Sequence, residues 1–220
     1  PFYTAYNAQV GSMEADIFLQ GNSLLVAHQQ DELNAANTLE DMYLQRLDSC
    51  IKANNGFPYA DKTEKLQLLI DLKTYGPVLL NELVKHLRRF PSIINNKNIT
   101  ITITGIDHNF PDDSVFATYP DFIHFDGVLS VHYSKSAQQK IAMYSDDFMK
   151  YVSWRSDGAL EVNFNFIKSE VARVHKEGKT LRLWDAPDNP ISWKTLMNAG
   201  VDYINTDRID ELASFLKQEN

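Results

Sequence analysis

The sequence predicts an α/β protein, a (β/α)8 barrel, and three observations lead there. Short apolar runs of strand character alternate with amphipathic runs of helical period, giving about seven strand–helix units in succession. Polar side chains recur at or just after the strand ends, among them Glu14, Asp16, Asp71, Asp126, Ser145 and Asp185, as an active rim on one face of a barrel requires. No strand is followed by a Gly-x-Gly-x-x-Gly or P-loop pattern, the phosphate-binding turns of open doubly wound sheets. A barrel of this kind needs eight strands. The chain opens on a helix, so its first strand is expected before Pro1.

Residues 1–10 place Phe2, Ala5 and Ala8 at helical spacing, with Gly11 as the stop. Residues 12–28 (SMEADIFLQGNSLLVAH) are two apolar runs about a Gly-Asn turn, the pattern of a hairpin. Thr38 and Asp41 resemble a capping box, and Leu39, Tyr43, Leu47, Cys50 and Ile51 form a helical stripe that ends near Gly56. LQLLIDLK at 66–73 is short and almost continuously apolar, as suits a strand buried on both faces. Gly76-Pro77 opens a helix that runs through Phe90, with Pro91 beyond its end. ITITIT, FIHFDG and KIAMYS follow as strands at 99–104, 122–127 and 140–145. A helix at 163–177 is stopped by Gly178, TLRLWDA is the next strand, and 192–198, VDYINTD and 209–217 complete the series.

At 220 residues, with 44% hydrophobic and 23% charged side chains, the chain has enough material for one good core. No composition shift or Pro/Gly/Ser-rich linker divides it, which predicts one domain over 1–220. A formal charge of −8 argues against a nucleic-acid partner, because phosphate-backbone binding wants a basic surface. No run approaches the ~18 apolar residues of a membrane span. The single cysteine, Cys50, excludes an intrachain disulfide and a cysteine zinc cluster. Its place on an apolar helix face reads as a core thiol.

Glu14 and Asp16 are alternate residues, so on a strand both carboxylates point to one side. Folding the hairpin about Gly21-Asn22 sets position 28 opposite roughly position 15, and opposed side chains lie about 5 Å apart. Two carboxylates and the His28 imidazole therefore converge, the chemistry of a metal site with an adjacent general acid or base. The same features also occur as a solvated strand edge and a hydrogen-bonded structural histidine. Asp71 and Lys73 repeat the alternate spacing on another strand. A carboxylate and an ammonium are costly to keep there without a function or a structural ion pair. His124 and Asp126 share a strand face, as rim-lining residues would, and His108 follows a strand in the same way; either histidine equally reads as a surface or core residue. Trp154 and Trp193 read as packing residues.

In order along the chain, MEADI, LLVAH, LLIDLKT, LRLWDA and YINTDR resemble the superfamily of phospholipase-C-like phosphodiesterases, closest to its glycerophosphodiester phosphodiesterase group. The resemblance covers essentially the whole chain and implies a (β/α)8 barrel. It implies a divalent cation, Mg²⁺ or Ca²⁺, held by Glu14, Asp16 and Asp71, and hard oxygen ligands suit those ions. His28 matches one of two catalytic histidines, the other belonging to the first strand. Lys73 matches the basic residue beside the phosphate, and Trp184 an aromatic near the substrate. Two positions depart from the glycerophosphodiester pattern. Asp71 stands where those enzymes have Glu, closer to sphingomyelinase D, and Gln29 stands where many have Asp.

The implied function is metal-dependent hydrolysis of a small phosphodiester, a glycerophosphodiester or related phospholipid headgroup, by histidine acid–base catalysis. A noncatalytic barrel holding a phosphorylated ligand is the alternative outside enzymes. A sphingomyelinase-D-like or phospholipase-C-like lipase is the alternative within them. No basic amphipathic segment is present to meet a bilayer, which favours a soluble substrate. Relatives with the MEADI…AH pattern are often exported, implying an extracytoplasmic location; the composition equally suits a cytosolic enzyme.

Overall fold

The structure, a computed structural model, describes residues 2–106, 110, 112–154, 156 and 160–219, with Trp154 and Leu160 described by backbone alone. His108 lies outside the described residues. The chain forms two compact units, Pro1–Asp126 with His132–Lys140, and Gly127–Val131 with Ile141–Asn220.

In the first unit, α1 (Phe2–Asn7) leads into β1 (Ser12–Gln20), and the chain returns as β2 (Ser23–Val26). Gly21 in the turn has φ +61°, a conformation glycine adopts without strain. After a 3-10 turn at Gln30–Glu32 comes the helical stretch read from Thr38, in two parts. Glu40–Leu44 is a π-helical turn and α2 (Gln45–Ala53) continues from it. The Thr38 hydroxyl accepts from the Asp41 amide at 3.1 Å, as the capping reading expects. Leu47 and Ile51 take the inward face and leave Cys50 at its margin, so the thiol is half-buried rather than in the core.

Next come β3 (Leu66–Leu72), α3 (Gly76–Leu87), the short α4 (Pro91–Ile94), β4 (Ile99–Thr104) and β5 (Ile123–Val128). The helix expected through Phe90 stops at Leu87, and Pro91 opens a separate turn because its fixed φ suits a first helical position. A 3-10 turn at Asp113–Thr118 and α5 (Lys135–Gln138) complete the unit; neither shows in the hydrophobic periodicity. The strands lie in the order β2-β1-β3-β4-β5, with β1 and β2 antiparallel and the other pairs parallel. On β3, Leu68, Ile70 and Leu72 alternate with Gln67, Leu69 and Asp71, and all but Asp71 are buried. Both faces are therefore covered, as the apolar run predicted. Each such aliphatic side chain contributes about 1.5–3 kcal/mol on burial.

The second unit runs β6 (Ile141–Asp147), a 3-10 turn (Phe148–Tyr151), β7 (Val152–Trp154), β8 (Leu160–Val162) and α6 (Phe164–Lys176). It continues with β9 (Thr180–Trp184), α7 (Pro190–Ala199), β10 (Tyr203–Ile204) and α8 (Ile209–Glu219). Strands β6, β9 and β10 pair in parallel, and β7 and β8 form an antiparallel ribbon. The Asn189 side chain caps α7 by accepting from the amides of Ile191 and Ser192, each at 3.1 Å. Trp193 is buried against Phe215 and donates to Asp188 at 2.8 Å, a packing residue as read. Among the described residues no helix is long and apolar enough to cross a membrane.

Candidate metal centre

The hairpin register decides the first part of the site. Gln20 faces Ser23 and Ile17 faces Val26, so continuing the ladder sets residue 28 opposite residue 15. The Ala27 amide extends the pairing to the Asp16 carbonyl at 3.3 Å. His28 then turns its Nδ1 to the Asp16 carboxylate, 3.0 Å from Oδ2. A carboxylate only accepts, so Nδ1 carries the proton and Nε2 is left as the basic nitrogen. The loop is held from behind: the amides of His28 and Gln29 both donate to Glu32 Oε2, at 3.2 and 3.1 Å.

The parallel register of β1 and β3 supplies the second part. Asp16 and Asp71 are direct partners across the two strands, and both side chains emerge on one face. The Lys73 amide extends that ladder to the Ile17 carbonyl at 3.0 Å. The Lys73 ammonium donates to Asp71 Oδ2 at 2.5 Å and lies 3.4 Å from Asp16 Oδ1. Glu14, Asp16 and Asp71 each present an oxygen, all within 4.8 Å of one another. Glu14 is exposed and the two aspartates are half-buried, so the group opens to solvent on Glu14's side. From α2's leading turn, the Tyr43 hydroxyl donates to the Glu14 carbonyl at 3.2 Å. Burial raises the Tyr43 pKa, and the charges of Asp16 and Glu14 raise it further.

The same geometry sets the charge states. Burial pushes the Asp71 carboxyl above the ordinary carboxylate range; Lys73 opposes this and the charge of Asp16 adds to it. Burial works against the Lys73 ammonium, but the carboxylates of Asp71 and Asp16 outweigh it and raise its pKa.

Gly105, just past β4, closes the other side of Asp71. Its φ is +74°, and a Cβ placed there would stand 2.5 Å from Asp71 Oδ1 and 2.9 Å from the Leu72 carbonyl. Thr104 is the register partner of Asp71 on β4 and donates to Asp126 Oδ2 at 3.0 Å. Asp16, Asp71, Thr104 and Asp126 thus form a polar row across β1, β3, β4 and β5. Asp126 is only 3% exposed. His124 is half-buried, pairs in register with Thr102, and sits one pleat before Asp126 on the same face. Trp184, in the second unit, ends β9 and is 42% exposed. Sequence reading overlooked two residues. Gly105 follows ITIT directly, and Arg182 sits inside TLRLW, buried and donating to Asn205 Oδ1 at 2.6 Å. A charge in the middle of an apolar strand was the available signal for the second.

Residues 1–104 match the family model of the AIM6-like phosphodiesterase domain, and residues 180–210 match that of the glycerophosphoryl diester phosphodiesterase family. A solved glycerophosphodiester phosphodiesterase from Parabacteroides distasonis superposes with a TM-score of 0.60 at 15% identity, over 99% of this chain and 88% of that one. A second, from Agrobacterium tumefaciens, gives 0.50 at 12% identity over 96% and 90% of the two chains. The fold is therefore the α/β barrel fold of the glycerophosphodiester phosphodiesterases, and the resemblance to the phospholipase-C-like superfamily holds.

Two curated relatives carry more particular names. The chain is 26% identical over 267 residues to Altered inheritance of mitochondria protein 6 of Eremothecium gossypii, covering 98% of this chain and 66% of that protein. It is 25% identical over 246 residues to the homolog of that protein in Arthroderma benhamiae, covering 96% and 78%. The chain thus spans just under two thirds of the first relative's length.

Proposed function

We propose that the chain carries the active site of a metal-dependent phosphodiesterase acting on glycerophosphodiesters or related phospholipid headgroups. The convergence of Glu14, Asp16 and Asp71 within 4.8 Å, with Lys73 and His28 bonded to two of them, supports this reading. The donor set fits a hard divalent cation: three carboxylates and no sulfur or imidazole among the three, as Mg²⁺ or Ca²⁺ prefers. Glu14, Asp16 and Asp71 would hold it, and when bound it supplies Lewis acidity toward a phosphoryl oxygen.

The remaining chemistry belongs to the side chains. Asp16 orients the His28 ring through Nδ1–H, so that Nε2 accepts a proton from the attacking hydroxyl or, once protonated, returns one to the leaving alkoxide. His28 is 71% exposed at its side chain, open to a substrate arriving from solvent. Lys73 offsets charge that develops on the phosphoryl oxygens. His124 and Asp126, on the same face as the acidic row, are proposed to shape the region that receives the organic part of the substrate.

The test is hydrolysis of a panel of glycerophosphodiesters by the whole protein that carries this chain, with Mg²⁺ or Ca²⁺. Activity is expected to vanish on chelation and return with the cation. His28→Ala is expected to lower turnover about 10²-fold or more with the fold intact. Full activity in the presence of chelator overturns the metal assignment, and wild-type turnover in His28→Ala overturns the role of the imidazole.

A further inference from the structure

The Asp71 carboxylate is confined from two directions. Its Oδ2 is bonded to the Lys73 ammonium at 2.5 Å. Its Oδ1 stands in the space that a side chain at position 105 would fill, 2.5 Å from where a Cβ would lie. Real Cβ atoms do not approach an oxygen that closely, so any residue but glycine forces a displacement. The rest of the wall cannot yield, because the neighbouring atoms are the Leu72 carbonyl oxygen at 2.9 Å and the Leu72 amide at 3.4 Å, both part of the β3 backbone. The Asp71 carboxylate, the far end of a side chain, is the partner that can swing away, and the approach to the Leu72 oxygen remains as a second, backbone collision.

We propose that Gly105 is a positioning residue of the acidic centre: its missing side chain is the space that lets Asp71 stand level with Asp16 and within reach of Glu14. This rests on the reading of those three residues as a cation site. Gly105 touches neither cation nor substrate and acts only through Asp71. The positive φ at position 105 is a separate constraint that any alanine there also meets. Gly178 offers the control. Its φ is +70° against +74° at Gly105, yet nothing lies within 4 Å of a Cβ there. Gly178→Ala carries the backbone strain without the collision.

The experiment titrates Ca²⁺ and Mg²⁺ into wild type, Gly105→Ala and Gly178→Ala by calorimetry, and follows thermal unfolding of each. Gly105→Ala is expected to bind the cation about tenfold or more weakly, the scale of losing an orienting neighbour at a metal site. Gly178→Ala is expected to lose thermal stability while keeping wild-type affinity. Unchanged affinity in a folded Gly105→Ala overturns the proposal.

Should Gly105→Ala not fold, the pair Asp71→Ala and Asp71→Ala/Gly105→Ala decides. Recovery of folding in the double variant supports a collision with the carboxylate; failure to fold while Asp71→Ala folds overturns it, because the glycine is then required by the Leu72 oxygen or the backbone angle and not by Asp71. Should wild type take up neither cation, the metal reading fails. The proposal then stands or falls on whether Gly105→Ala costs less thermal stability in the Asp71→Ala background than in wild type.

Discussion

Replacing Lys73 by Met keeps the aliphatic stem and removes the charge between Asp71 and Asp16. The ammonium lies 2.5 Å from one carboxylate and 3.4 Å from the other, and the three side chains are 22%, 18% and 21% exposed. Breaking a fully buried pair costs about 3–5 kcal/mol and an exposed one at most about 1. One-fifth exposure puts the loss nearer the first, at about 2–3 kcal/mol once solvent screening is discounted. In a chain of this size that lowers the unfolding midpoint by about 5–10 °C. The pKa of Lys73 is raised in the folded state, so this contribution is complete below the unfolded lysine value and fades only as pH rises through the folded one. Measurements at pH 7 read it in full.

A divalent cation and the ammonium neutralise the same two carboxylates. Saturating Ca²⁺ is therefore expected to return more stability to Lys73→Met than to wild type, while turnover falls about 10²–10³-fold. Differential scanning of both proteins with and without Ca²⁺ gives the comparison. A variant that melts with wild type, or equal stabilisation of both by the cation, would refute the arrangement of charges.

Two further outcomes are expected. Asp48 accepts from Lys52 Nζ at 2.6 Å and is bonded to Ser92 on α4; burial raises its pKa, but these partners outweigh it and the net shift is downward. Its contribution is present above the ordinary aspartate value and is lost as pH falls through the lower folded one. Asp48→Asn should thus cost about 1 kcal/mol at pH 7 in urea unfolding, with the gap closing in acid; a gap constant with pH would count against the pairing. Glu32→Ala removes the acceptor for the amides of His28 and Gln29. It should lower kcat with little change in cation affinity, and an unaltered kcat would show that the loop holds His28 without it.

The hairpin was legible because Gly21-Asn22 fixes both the turn and the parity of everything paired across it. His28 beside Asp16 followed from counting residues. The meeting of β1 with β3 is different: Asp71 lies far along the chain, and nothing local to LQLLIDLK says that it will stand level with Asp16. Only the resemblance to a known family placed it there. The β7–β8 ribbon escaped notice because VSW and LEV are too short to show alternation. Gly105 escaped because its meaning is a clearance, and clearances exist only once strands have neighbours. Cys50 shows the limit of a stripe: periodicity names a face but not how deep its margin lies.

Below the acidic centre, Gln67 ties β3 to both neighbours, donating to Ser12 Oγ on β1 and accepting from Thr102 Oγ1 on β4, each at 3.0 Å. Gln67 and Thr102 are almost wholly buried, so leaving either bond unmade is expensive. Sliding β3 by two residues would keep every hydrophobic side chain on its proper face, and hydropathy alone does not forbid it. It would also bring Leu69 or Lys73 to the place of Asp71 and dismantle the acidic cluster in a strand array otherwise intact. A buried amide bonded to both flanking strands thus favours the one alignment in which the charges arrive in step.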